Sequence, residues 1–181
     1  NSRALIDVTE EGGFTRLYGP AKEALKVSGW EYSALLKIDG MGHPFAVAVA
    51  IPDSFDTDDP CLVLAPSSGS RGLYGAIGTA GAAGLSRGCA VAFTDKATGT
   101  GFVHLDSGEG YGLDYALTSD AAVMLFSLDA ATRAGAQHGE GAVAVKHAHS
   151  GDNIERYWGA ATLAAGEYAL RVLSRHFARA T

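Results

Sequence analysis

The sequence predicts an α/β fold: a mostly parallel sheet, opened by an N-terminal hairpin and covered by helices. Two short apolar runs, CLVLA at 61–65 and CAVAF at 89–93, lack polar alternation, as strands buried on both faces do. Helical Gly- and Ala-rich stretches separate such runs, and strand–loop–helix repeats build parallel sheets. The chain has 181 residues, 47% of them hydrophobic, which is enough for one core and too little for two.

Residues 1–33 read as an N-terminal extension, and 34–181 as the sheet with its helices. ALLKID at 34–39 and PFAVAVAI at 44–51 are strands around a Gly40–Met41–Gly42 turn. The acidic stretch DSFDTDDP, ending in Pro60, is a solvated connection. CLVLA breaks at PSSGSRG (66–72), and a helix follows from Leu73 to about Arg87, its GTAGAAG tract small enough for close backbone packing. CAVAF ends in TDKATGTG. After a polar, Gly-rich excursion, Ala121, Leu125, Leu128 and Ala131 share one face of a helix expected over 118–134. AVAVKHAH at 142–149 reads as a third strand. Asp152 or Asn153 caps a last helix from Ile154 to about Ala178, with Trp158, Ala161, Ala165, Leu170, Leu173 and Phe177 as its apolar residues. Tyr18, Trp30, Tyr32 and Trp158 read as packing aromatics.

Composition narrows the partners. Twenty acidic residues against 14 basic, a net charge of −6 and no Lys/Arg run argue against nucleic acid. No apolar run reaches the roughly 18 residues of a membrane span. The opening NSRALIDVTEEGG lacks the basic-then-apolar order of a signal peptide, which fits a mature exported chain or a cytoplasmic one. Cys61 and Cys89 each open a strand and read as free, buried, small hydrophobes, with a bridge between them as the less favoured alternative.

The stretch GLSRG, Gly84 to Gly88, fits the nucleophile-elbow pattern G-x-S-x-G. An elbow needs a strand before its serine and a helix after it. Ser86 has the reverse order, which puts it at the amino-end edge of the sheet, with Gly84 and Gly88 as helix-cap and loop glycines. The match is a decoy.

In parallel sheets ligands bind beyond the carboxyl ends of the strands. Those ends are PSSGSRG, TDKATGTG and HAHSGDN. Three hydroxyls, two glycines and an Arg before a helix suit an anion or oxyanion, and equally suit a turn that caps the helix. SGSRG is not a Walker loop, and TDKATGTG has His104 where a dinucleotide fingerprint needs its third glycine, so nucleotide binding is disfavoured. Asp95 with Lys96 reads as a solvated pair. His147 and His149, two apart in a strand, point to one face; with no third ligand nearby, they read as hydrogen-bonding residues and not as a metal site.

ALIDVTEEGGFTRLYGP, PCLVLAPSSGSRGLYGAIGTAG, GCAVAFTDKATGTG and AVKHAHSGDNIERYWG, in this order, resemble the D-(−)-3-hydroxybutyrate oligomer hydrolases. The likeness touches nearly the whole chain. It implies an α/β-hydrolase-like sheet that is incomplete here, with 1–181 as the N-terminal portion of one domain. It implies a serine esterase that splits short 3-hydroxybutyrate oligoesters from polyhydroxybutyrate, with no metal or organic cofactor. The nucleophile and its Asp and His would follow Thr181, on a companion polypeptide that completes the fold. What carries over is the oxyanion loop, centred on Ser68, Gly69 and Ser70. By its chemistry Arg71 would pair with the free carboxylate of an oligomer, or equally cap the helix or enter a buried salt bridge, and Asp95, His147 and His149 are further substrate-binding candidates. A family working on products of an extracellular polymer favours an extracellular or periplasmic place. Alternatives are a non-catalytic ligand- or polyester-binding module and a tannase- or feruloyl-esterase-like hydrolase.

Overall fold

The computed structural model describes residues 27–69, 72–98 and 101–178. The chain opens with a hairpin, β1 (Gly29–Leu36) and β2 (Phe45–Pro52). β3 (Leu62–Pro66) follows, then a π-helical turn, Ile77–Gly81, running into α1 (Ala82–Leu85), and then β4 (Ala90–Thr94). These strands form one sheet in the order β1-β2-β4-β3. β1/β2 and β2/β4 are antiparallel, while β3/β4 is parallel through the α1 crossover. β1 begins inside the stretch read as an extension, five residues earlier than expected.

The fold is thus mixed α/β, and the expectation of a mostly parallel sheet is corrected: β3/β4 is the single parallel pair among the described residues. The reason lies in the middle of the chain. Residues 102–145, read as an excursion, a helix and a third parallel strand, form instead a second, antiparallel sheet. It contains β5 (Phe102–His104), β6 (Gly110–Tyr111), β7 (Leu117–Thr118) and β8 (Val143–Val145), in the order β7-β6-β5-β8. Over 118–134 only α2 (Ala130–Gly135) is helical, its Asp129 cap accepting from Thr132 N–H at 2.9 Å. Leu125 packs against the first sheet, while Ala121 and Ala131 are exposed, so the apparent helical face was a coincidence of spacing.

The 142–149 run is also divided. After β8, residues Lys146–His149 make a one-turn helix, α3. A 3-10 turn, Ile154–Tyr157, leads into α4 (Trp158–Ala178). Asn153 caps that turn, its Oδ1 accepting from Arg156 N–H at 3.4 Å.

Two layers of helix enclose the first sheet because β2 and β4 alternate. Ala46, Ala48, Val91 and Phe93 face the α1 side with Leu73 and Ala76. Phe45, Val47, Val49, Ile51, Ala90 and Ala92 face α4, which offers Ala161, Ala165, Ala169 and Val172 at a four- and three-residue period. Small residues on α4 bring its backbone close to the sheet. Leu170, expected on this face, is 61% exposed, and Trp30 is 61% exposed on the edge strand β1. Tyr18 lies outside the described residues. β3 is the other edge strand, with Leu64 42% exposed, so CLVLA is not buried on both faces.

The GTAGAAG tract packs as expected. A Cβ on Gly84 would stand 2.8 Å from Val91 Cγ2 and 3.1 Å from Val63 Cγ2, so only glycine lets α1 seat on the β3/β4 pair. Gly84 is therefore a packing residue inside α1 and not its cap. Gly88 takes the cap conformation, φ +79°. Ser86 is exposed at the helix end, and its hydroxyl lies 3.3 Å from Ala83 O, at the amino end of β4. Cys61 and Cys89, read as free thiols, form a disulfide with Cα atoms 4.6 Å apart. They immediately precede the paired strands β3 and β4, so the register that joins Ala90 N–H to Cys61 O at 2.9 Å also brings the two side chains together. Spacing alone carries no such information.

Candidate functional site

The parallel β3/β4 pair and the antiparallel β2 fix one rim. Because β2 runs against β4, the start of β2 lies beside the carboxyl ends of β3 and β4, with Val47 opposite Thr94. The segments 66–69, 94–98, 40–46 and 146–152 therefore meet on that side. Ser67, Thr94, Asp95, Lys96, Thr98 and Lys146 are the buried polar residues among those described, and all belong to this rim. Burial of polar groups has to be compensated by bonds.

Asp95 is the hub. Its Oδ1 accepts from Ala46 N–H at 3.0 Å and Ala97 N–H at 2.9 Å, and its Oδ2 is 3.9 Å from Lys146 Nζ. Lys146 Nζ also donates to Pro44 O, and Lys146 N–H to Gly101 O at 2.8 Å. Burial pushes the Lys146 ammonium below its ordinary pKa, while Asp95 and then Asp152 pull the other way. Asp95 and Lys96 are not a solvated pair: both are buried, and the cation beside Asp95 is Lys146.

Residues 95–98 form a tight turn, Thr98 N–H donating to Asp95 O at 3.0 Å. Its two central residues, Lys96 (φ +54°) and Ala97 (φ +66°), are left-handed. Non-glycine residues pay of order 1–3 kcal/mol for such a state and keep it only where the surroundings over-determine it. Here Thr94 Oγ1 accepts from Lys96 N–H at 3.1 Å and Asp95 holds Ala97 N–H.

The turn presents Thr98 to the loop after β3. The Thr98 hydroxyl is 2.5 Å from Gly69 O and 2.7 Å from Asp95 O, so its single proton serves one carbonyl at a time. Ser67 Oγ donates to Gly69 O at 3.0 Å. Gly69 has φ +152°, and among the described residues nothing lies within 4 Å of where a Cβ would stand. Ser68 is exposed; Ser70 and Arg71 lie outside the described residues.

The two histidines of α3 do not share a face, since α3 is helical. His147 Nδ1–H donates to Thr98 O at 2.9 Å, which leaves Nε2 of the neutral ring as an acceptor. His149 turns back on its own segment, accepting from Val145 N–H at 2.9 Å. The rim thus joins Gly69, Asp95, Thr98 and His147 and leaves His149 apart. No group of three His, Cys, Asp or Glu side chains suited to a metal occurs among the described residues, and no helix among them is long and apolar enough to cross a membrane.

A second carboxylate closes the rim. Asp152, expected to cap the last helix, accepts from Gly42 N–H at 2.7 Å, His43 N–H at 3.0 Å and His43 Nδ1–H at 3.1 Å. Burial raises its pKa, but these bonds outweigh that effect and hold it below the ordinary carboxylate value. His43, Ser67, Thr98, Lys146 and Asp152 have no place among the sequence candidates. The T-D-K following an apolar strand was the visible signal for Thr98, and Ser67 bonds Gly69 O only two residues on; His43 with Asp152, and Lys146 with Pro44, are joined over more than 100 residues, with no local mark.

A model of the 3HB-oligomer hydrolase family matches residues 1–181. The chain belongs to that family. It is 42% identical to a D-(-)-3-hydroxybutyrate oligomer hydrolase of Polaromonas sp., over 98% of this chain and 27% of the relative. It is 42% identical to the protein of that name from Paracidovorax citrulli, over 98% and 27%, and 40% identical to that from Azoarcus sp., over 100% and 28%. The chain thus spans little more than a quarter of the length of these curated relatives. No solved structure matches it.

Proposed function

We propose that this 3HB-oligomer hydrolase segment supplies the oxyanion side of a serine esterase acting on 3-hydroxybutyrate oligomers. The observation that carries the reading is the family match over the whole chain, to relatives named for that activity. The rim supports it: Ser67 and Thr98 hold the Gly69 carbonyl inward, and among the described residues nothing crowds Gly69 beside Ser68, which leaves room for an ester carbonyl. A serine activated by histidine attacks that carbonyl, backbone N–H groups receive the charge on oxygen, and water releases the acid. Each such donor is typically worth ~3–4 kcal/mol of barrier. Ser86 has its strand, β4, after it and not before it, so this reading looks for the nucleophile outside residues 1–181.

The sheet supports an α/β-hydrolase-like completion. β3 lies at an edge with Leu64 exposed, beside a parallel partner and a crossover helix, which is the place for a further parallel strand. The Cys61–Cys89 bond favours an oxidising, exported setting. The test is to incubate the intact protein with (R)-3-hydroxybutyrate trimer and to map the serine labelled by a fluorophosphonate. Release of monomer with the label outside residues 1–181 is expected. A label on Ser68 or Ser86, or intact trimer, overturns the proposal.

A further inference from the structure

Two lysines are buried at the rim, and among the described residues only the ammonium of Lys146 has polar partners. Lys146 bonds Pro44 O and faces Asp95. Lys96 is 7% exposed, and its Nζ lies 3.8 Å above the Trp158 ring centroid with no hydrogen-bond acceptor or carboxylate among the described residues. Burial lowers its pKa, and no neighbouring anion offsets that. The Trp158 indole N–H is itself buried with no acceptor.

These costs fall on one residue. Glycine at 96 would relieve the left-handed backbone, and an apolar side chain would fill the space over Trp158 without desolvating a charge. A cation–π contact offsets part of the burial but neutralises nothing. A buried cation and an unused indole N–H both want an acceptor, and an anionic one would also neutralise the cation. We propose that Lys96, backed by Trp158, is a carboxylate-binding subsite for the free acid end of a 3-hydroxyalkanoate oligomer. The identity of the ligand rests on the hydrolase reading above. Lys96 then takes the role that Arg71 was expected to play, and it makes the free acid a better ligand than its ester.

The intact protein is titrated calorimetrically with (R)-3-hydroxybutyrate dimer and with the methyl ester of the dimer, and hydrolysis of both is followed separately. The wild-type protein is expected to bind the acid about tenfold to a hundredfold more tightly than the ester. K96M removes that preference, and K96R keeps most of it. Equal affinity of the wild-type protein for acid and ester overturns the proposal without recourse to a variant, as does a preference that survives K96M or disappears only in R71M. Acid-selective binding with no hydrolysis of either compound keeps the subsite and refutes the esterase reading; hydrolysis without selectivity does the reverse.

Discussion

Reduction of Cys61–Cys89 is the sharpest perturbation of the frame. The bond closes a loop with a sequence separation of 28 across the α1 crossover. Chain entropy lost from the unfolded state on closing ~29 residues amounts to about 12 cal/mol/K, or roughly 3.6 kcal/mol at 25 °C. The β3/β4 register already brings the two residues together, so the effect acts chiefly through the unfolded chain. For a chain of this size each kcal/mol moves Tm by about 2–4 °C, which gives a fall of roughly 7–14 °C. The assay is a thermal melt with and without a phosphine reductant, beside the C61A/C89A double variant. Thiol titration should count two new thiols on reduction, and the reductant should not move the melt of the variant. An unchanged midpoint in a sample that has gained two thiols would refute the reasoning.

Three further outcomes follow from the packing and the charges. K146M removes one cation from beside the buried Asp95 and one donor from Pro44 O, and should lower stability by urea unfolding by about 1–3 kcal/mol; adding D95N should recover part of the loss. D152N should cost about 1–2 kcal/mol near neutral pH. Because the folded carboxyl of Asp152 titrates below its ordinary value of 3.8, its contribution is present above that pH and disappears as pH falls through the folded value, so the two urea midpoints should converge in acid. G84L drives a side chain into Val91 and Val63 and should lower stability by about 1–3 kcal/mol, read by the same unfolding curve.

What was legible in the sequence was local. Apolar runs marked β2, β3 and β4, the Gly/Ala tract marked the crossover, and a strand placed after the serine marked GLSRG as a decoy. β5, β6 and β7 were missed because two- and three-residue strands carry no period, and Leu125 and Leu128 happened to stand at helical spacing. Lys146 and His147 follow VAV without a break, so nothing announced the change from strand to helix at 145. Asp152 looked like a cap because caps and long-range acceptors use the same residue types; its bonds reach back 109 and 110 residues. Burial of Asp95 and Lys96 was hidden for the same reason, since Asp95 meets Ala46 of β2 and Lys146 of α3, and Lys96 meets Trp158 of α4.

The placement of these features relates stability to chemistry. β3 and β4 are tied at their amino ends by a disulfide, along their length by glycines that seat α1, and at their carboxyl ends by the Asp95 network. If the loop after β3 serves as the proposed oxyanion loop, it accelerates the reaction only with its donors in place before charge develops, since donors that must reorganise give back what they gain. The Gly69 carbonyl is held by Ser67 and Thr98, and Thr98 stands on two left-handed residues whose strain, of order 1–3 kcal/mol each, the fold has already absorbed. A more relaxed turn at 95–98 would make the chain more stable and would release the hydroxyl that fixes the loop. Strain in the turn is therefore the cost of holding Gly69 still, and the disulfide and the packed glycines are what let a frame this small sustain it.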